Sequence, residues 1–359
     1  MTEKVYRDLL EVMKSRGGPY AGSDIPEFFA MAEELFTPEQ AEINNALQRK
    51  PAPVEEIAQR VDKDKQEVKQ MLETMADRGL CGVLTSTGQT LYQGIPFMPG
   101  IFEFQFIGGK QTDRDVRIAK LIHVYRKAFD AAEGVQKITY PMTRVIPVVR
   151  TIRADNVIHT YDQVVTYIDK YDRIGVGACF CRQAAKLRGE DIHGMPLEVC
   201  MWFGNIAEHI TERLGGRRVT KQEAREILDR SEEAGLIHMS RNTTQDIDFM
   251  CNCDRWHCEV VGKVLKQPKP GLVFNSGFRP VFDPELCTSC ETCVGRCPPQ
   301  ALKMGADDVP KSDGDLCFGC GACATGCPEG AISMEAKPDF PVPPKDVKEL
   351  VTALKNAGN

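Results

Sequence analysis

The chain has 359 residues, 42% of them apolar and 27% charged, with a net charge of −6. That length predicts two to three domains, and the composition excludes wholesale disorder. No stretch is apolar for long enough to cross a bilayer, and the opening MTEKVYRDLLEVMKSRGG mixes charge with apolar residues, which predicts no signal peptide. Fifteen cysteines in such a chain are expected to be metal ligands in a reducing, anaerobic cytoplasm rather than disulfides.

In chain order, residues 1–100 predict a helical lead and a winged-helix-like domain. Thr37-Pro38-Glu39-Gln40 is a capping box with Pro at the first helical position, opening a helix that includes Ile43 and Leu47 and is stopped by Pro51 and Pro53. Helices over 54–61 and 65–78 follow at helix-turn-helix spacing, the second with Val68, Met71, Leu72 and Met75 on one face and Gly79 as its stop. Segments 80–84 and 89–93 around Ser86-Thr87-Gly88 predict a hairpin wing, in which Cys81 reads as packing. Between Asp62 and Arg78 there are five acids and four bases, whereas groove binders present a net positive face. The module is therefore expected to be a scaffold, and DNA is not the expected partner.

Residues 101–265 predict an α/β middle domain that bears cysteines. Helical periodicity runs over 113–132 (Ile118, Leu121, Ile122, Val124, Tyr125, Phe129), 144–152 is β-branched and strand-like, 161–171 reads as helix and 174–179 as strand. Gly175-x-Gly177 is too short for a nucleotide fingerprint and suits a close approach of backbone to a metal site. Cys179-Phe-Cys181-Arg182, Cys200, and Cys251-Asn-Cys253-Asp-Arg-Trp-His257-Cys258 form a second constellation. C-x-C puts two thiolates on one side of a strand or within a tight loop, which chelates a cluster or zinc. Three readings stand for these six cysteines: a third [4Fe–4S] cluster, a structural zinc, or buried thiols. Arg182, beside the C-x-C, suits an anion, a cluster or a structural ion pair. Thr220-x-x-Glu223 caps a helix that Gly235 ends.

Residues 266–336 carry the most specific pattern: Cys287-x2-Cys290-x2-Cys293-x3-Cys297-Pro298, repeated 30 residues later as Cys317-x2-Cys320-x2-Cys323-x3-Cys327-Pro328. Three sulfurs of such a turn curl around one cube, and the Cys before Pro crosses to the other. The expected ligand sets are Cys287, Cys290, Cys293 and Cys327 for one [4Fe–4S] cluster, and Cys317, Cys320, Cys323 and Cys297 for the second. Gly319, Gly321 and Ala322 keep bulk away from the inorganic core. Residues 283–335 hold nine acids against three bases, so the acidity sits here and favours basic partner surfaces. The tail, 337–359, has Pro338, Pro341, Pro343 and Pro344 ahead of a short amphipathic helix over 347–354, an arm for docking on a partner or for packing back.

From about Thr37 to Met334 the chain resembles a family of anaerobe iron–sulfur proteins with a winged-helix-like N-terminus, a CxCR/CNC-type cysteine segment and a bacterial two-[4Fe–4S] ferredoxin module. The resemblance rests on Pro-Gly-Ile-Phe-Glu-Phe at 99–104, Cys179-Phe-Cys181-Arg182, Gly215-Gly-Arg-Arg-Val-Thr-Lys-Gln-Glu223 and Gly277-Phe-Arg-Pro-Val-Phe-Asp-Pro-Glu-Leu-Cys287. It implies an electron-transfer subunit or accessory protein of an anaerobic oxidoreductase. Two departures matter: His193 stands where the family often has Cys, and the 251–258 run is sparser. Histidine ligates iron in some clusters, so His193 and His257 are replacement-ligand candidates beside a plain hydrogen-bonding reading.

No Walker loop, G-x-G-x-x-G, HExxH or Ser/His/Asp signature is present. The sequence thus predicts an α+β multidomain protein that passes electrons through two ferredoxin-type clusters and a third metal site to a redox partner. The alternatives are a redox-responsive winged-helix regulator and an oxidoreductase with an open-site middle cluster.

Overall fold

The computed structural model describes residues 2–86, 88–134, 137–154, 163–245 and 247–358. It is a mixed helix-and-sheet protein that divides into two compact units, one of Met1–Val135, Gly177–Ile192 and Glu208–Arg217, the other of Gln136–Val176, His193–Ala207 and Arg218–Asn359.

In the first unit, helices Thr2–Arg16 and Pro26–Leu35 precede Pro38–Ala46, whose N-terminus is the Thr37/Gln40 capping box. Val54–Val61 and Lys65–Asp77 follow, the latter capped by Asp64, which accepts from the Gln66 and Glu67 amides. The hairpin Gly82–Ser86 and Gln89–Gln93 is joined by the short strand Ala52–Pro53, which pairs with Gln89–Gln93 as an antiparallel edge. Helix Asp113–Glu133 starts at a second capping box, Thr112/Asp115. Its buried face meets an aromatic cluster in which Phe97 stacks on Phe102 at 5.0 Å and Tyr125 lies edge-on to Phe28 at 5.9 Å. Arg16 is buried, yet donates to Asn44 O (2.7 Å), Leu47 O (3.0 Å), Asn44 Oδ1 (3.2 Å) and Ile95 O (3.2 Å). Burial lowers its pKa to about 10, still charged at neutral pH. Cys81 is also buried, its thiol pushed up to about 12 by burial, so it is packing rather than chemistry.

The second unit carries a mostly antiparallel sheet in the order Thr143–Ile146, Ile237–Arg241, Phe249–Cys253, Glu198–Phe203, extending to Ile174–Ala178. The strand expected over 144–152 ends at Ile146. Pro147 has no amide to continue the ladder, and Val149–Thr151 turns as a 3-10 helix. The freed Val148 amide bonds Cys320 O at 3.3 Å instead. Of the helix expected over 161–171, Val164–Lys170 is present, and residues 161–162 lie outside the described residues. Helix Lys221–Glu233 begins at the Thr220/Glu223 capping box.

The ferredoxin-like module pairs Phe278–Phe282 with Ile332–Ala336 and Leu302–Met304 with Pro310–Ser312, both antiparallel. In the tail, the Thr244 and Gln245 amides donate to Pro344 O (2.9 Å) and Lys345 O (3.1 Å). The arm thus lies against its own unit before the helix Val347–Asn356. Among the described residues, no helix is long and apolar enough to cross a membrane.

Candidate metal centres

The two C-x2-C-x2-C loops share a backbone hydrogen-bond framework. Asp283 Oδ1 accepts from the Glu285 amide and Asp313 Oδ1 from the Asp315 amide, both at 2.9 Å. The Asp283 amide donates to Ala331 O and the Asp313 amide to Ala301 O, both at 2.8 Å, so each copy is tied to the other across a pseudo-twofold. Left-handed backbone recurs at matched positions: Ser289 and Gly319 (φ 56 and 66), Glu291 and Gly321 (57 and 85), Gln300 and Gly330 (55 and 63). These residues let the chain double back often enough to aim three thiols inward. Amides also point at sulfur: Ala301 to Cys297 Sγ (3.2 Å), Ala331 to Cys327 Sγ (3.3 Å) and Gly319 to Cys317 Sγ (3.4 Å). Such donors stabilise thiolate and raise a cluster's potential.

A small cavity of about 20 Å³ is walled by Cys287, Cys290, Cys293 and, from the other copy, Cys327. Phe282, Pro310 and Ile332 supply its apolar side. Four soft sulfur donors around a partly apolar hollow fit an iron–sulfur cube and suit a hard cation poorly. Cys297 packs with Cys317 and Cys323 in one apolar cluster.

The copies differ in exposure. In the first loop, Thr288, Ser289, Cys290, Glu291 and Thr292 are all exposed, whereas Phe318, Gly319, Cys320, Gly321 and Ala322 at the matched positions of the second are all buried. The second loop is gripped from outside: Asn275 Nδ2 donates to Cys317 O (2.7 Å), Ser276 Oγ to Gly319 O (2.6 Å), and Arg296 Nε to Ala322 O (3.1 Å). Arg296 also donates to Glu232 O (2.8 Å) and Glu233 O (2.9 Å), clamping the end of the helix Lys221–Glu233 to this loop. Gly326 makes room for it, since a Cβ there would lie 2.1 Å from Arg296 Nε.

Electrostatics follow exposure. Burial pushes the Cys297 thiol up to about 11, Cys320 up to about 12, and Cys323 well above its ordinary value. Cys290 is shifted down instead, because the Thr292 hydroxyl, 3.4 Å away, and the Thr292 amide favour its thiolate. The buried set would release protons only in exchange for metal.

Of the second constellation, Cys251 and Cys253 share one face of the strand Phe249–Cys253, and Cys258 caps the helix Glu259–Leu265. Hydrogen bonding to Cys251 and Cys258, then burial, raises the Cys253 pKa, so Cys253 lies within reach of both thiols. Cys200 is buried in the strand Glu198–Phe203, one residue before the Met201/Met250 pair that places it beside this run. Cys179 and Cys181 belong to the first unit, where Cys179 caps the helix Phe180–Leu187, so the C-x-C turns from strand into helix rather than staying extended. His257 Nδ1 lies 3.3 Å from Asp254 Oδ2, and the His193 ring is 4.7 Å from the exposed Trp256 and 5.8 Å from His257. Among the described residues, no group of three or more His, Cys, Asp or Glu side chains is set to hold a single metal ion.

Cys253 and Cys258 pack in the same apolar core as Phe318, Cys320 and Ala322 of the second loop. Spacing alone did not reveal this shared core, nor the Arg296 clamp. The signal for the unequal exposure was in the sequence: Thr, Ser, Glu and Thr in the first loop stand against Phe, Gly, Gly and Ala in the second.

Residues 286–332 match the family model of the 4Fe-4S dicluster domain. The C-terminal module is accordingly an iron–sulfur, ferredoxin-like module, and an electron-transfer role in general follows. No curated protein and no solved structure gives a match to the chain.

Proposed function

We propose that this chain is an electron-transfer protein or subunit of an oxidoreductase complex. In this reading Cys287, Cys290, Cys293 and Cys327 hold one [4Fe–4S] cluster, and Cys317, Cys320, Cys323 and Cys297 hold a second. Cys251, Cys253 and Cys258 ligate a third iron–sulfur centre. The observation that carries the reading is the cavity in which Cys327 of the second run joins three cysteines of the first. When bound, the clusters supply one-electron transfer. The chain's own residues set its terms: the Ala301, Ala331 and Gly319 amides stabilise thiolates, Phe282 and Ile332 exclude water, and Arg296 places a fixed positive charge beside Cys320 and Cys323.

The shared core of Cys253, Cys258 and Cys320 supports a relay in which the third centre exchanges electrons with the second cluster, and the second with the first. The N-terminal winged-helix-like domain serves as a protein scaffold. Its helix Lys65–Asp77 exposes Glu67 and Asp77 beside Lys65 and Lys69, a balance unsuited to phosphates.

The test is ligand exchange. On anaerobically purified protein, Cys327→Ala should alter the resonance signature of the cluster that Cys287→Ala also alters, and Cys297→Ala that of the cluster altered by Cys317→Ala. If Cys327→Ala and Cys317→Ala instead change the same cluster, the crossed assignment is wrong.

A further inference from the structure

We propose that the first-run site, walled by Cys287, Cys290, Cys293 and Cys327, is the terminal at which this protein meets its redox partner, and that the partner is a protein whose own centre is rimmed with basic side chains. The inference rests on the electron-transfer reading above and deepens it by choosing between two sites that the sequence makes look equivalent.

The choice follows from what surrounds each site. Electron transfer between proteins needs one centre close to the surface, and the two loops differ in this throughout. Every residue of the first loop from Leu286 to Thr292 except Cys287 is exposed, and Leu286, 50% exposed, offers an apolar contact at the rim. The second loop is walled by Asn275, Ser276, Val148 and Arg296, and the site's thiols, Cys297, Cys317, Cys320 and Cys323, are at most 9% exposed. A partner has no access there short of unfolding the unit.

Charge selects the kind of partner. From Asp283 to Gly295 there is no Lys or Arg. Glu291 and Glu329 line the first cavity and are exposed, and Glu285 is exposed just outside it. The nearby Lys311 is tied to Asp307 at 2.7 Å. Around the second site cations offset the acids: Arg296 acts on Cys320 and Cys323 and Lys337 on Cys317, and Asp315 is paired with Lys269. An acidic rim around an exposed apolar contact steers and orients a basic surface, and such steering changes rates by roughly 10–10³-fold. The protein thus has a wet acidic end for exchange and a drier, charge-balanced interior for relay.

The experiment uses the full chain, purified and reduced without oxygen, and follows its oxidation by stopped flow with two acceptors, a lysine-rimmed c-type cytochrome and ferricyanide. One electron passes from the reduced cluster to ferric haem or to ferricyanide, and no atom moves. In the triple variant Glu285→Lys, Glu291→Lys, Glu329→Lys, the rate with the cytochrome should fall by about tenfold and that with ferricyanide should rise by about tenfold, both effects fading as salt is raised. Asp172→Lys, at a carboxylate that is 96% exposed elsewhere on the unit, should change neither rate. The milder pair Glu291→Gln, Glu329→Gln should move both rates in the same directions by less, which covers a triple variant that fails to fold. Unchanged rates in variants that retain their clusters overturn the proposal, as does an equal response to Asp172→Lys. A chain that carries no iron and sulfide at all would instead overturn the reading beneath it.

Discussion

Ser289 and Gly319 occupy one backbone position in the two copies, at φ 56 and φ 66, and replacing each with alanine separates the two sites energetically. At Gly319, alanine adopts the left-handed conformation at a cost of about 1 kcal/mol. Its Cβ would also lie 2.3 Å from Phe278 O and 2.5 Å from Ser276 Oγ. The Ser276 side chain can rotate, but only by giving up its 2.6 Å bond to Gly319 O and the 3.2 Å bond it accepts from the Phe278 amide. The Phe278 carbonyl cannot move without the strand that carries it. Overpacking adds roughly 1–3 kcal/mol and the two lost hydrogen bonds about 2 kcal/mol, for a total of roughly 4–6 kcal/mol. Domains are stable by only about 5–15 kcal/mol. At Ser289 the left-handed backbone already carries a side chain, and alanine gives up one exposed bond, Ser289 Oγ to Asp308 O at 2.8 Å, a loss of about 0.5–1 kcal/mol. The assay is the guanidinium midpoint at which the cluster absorption disappears. Gly319→Ala should lower that midpoint sharply and Ser289→Ala slightly. Equal midpoints would refute the argument that the second loop is packed on all sides.

The other predictions concern charge, reactivity and pH. Arg296→Gln removes a cation beside Cys320 and Cys323, so a potentiometric titration should find one cluster shifted to lower potential while Arg296→Lys keeps most of its original value. A uniform shift of all clusters, or none, would count against a local charge effect. In cluster-free protein, iodoacetamide should label Cys290 well before Cys297, Cys320 and Cys323, because Cys290 is exposed and shifted down while the others are buried and shifted up. Thr292→Val should slow that labelling, and peptide mapping reads the order. His209 is buried with neither ring nitrogen hydrogen-bonded, and burial followed by the nearby Arg213 lowers its pKa from 6.5 to about 4. Between those two values the unfolded chain takes up a proton that the folded unit refuses. Stability is therefore full above 6.5 and falls by up to about 3 kcal/mol as pH drops toward 4. His209→Leu should flatten this part of a denaturation-versus-pH series, and an unchanged slope would place the proton uptake elsewhere.

Much of the local structure was legible because it depends on short-range chemistry. Thr37 and Thr220 announce their helices through capping boxes, and both helices start there. The Thr112/Asp115 box is built the same way with a shorter acid, which falls outside the usual Glu or Gln signature. The run 144–152 misled because β-branched residues continue past Pro147, and only the missing amide shows that the ladder must stop. Cys179-Phe-Cys181 lies where a strand gives way to a helix, a boundary that alternation in sequence does not mark. The cluster ligands were legible as a pattern, because three thiols on one tight turn must be close in sequence. What was not legible is how the second copy is held away from water. That depends on Asn275, Ser276, Val148 and Arg296, which reach the second loop from up to about 170 residues away in the chain, and no spacing rule encodes such contacts.

Counting iron, acid-labile sulfide and zinc per chain on protein purified without oxygen tests the three-centre relay most directly. The account predicts about twelve iron and twelve sulfide with no zinc, falling to about eight of each in Cys253→Ala. About eight in the unaltered chain would contradict a third cluster beside Cys320, and with one zinc it would make the Cys251–Cys258 run a structural metal site instead.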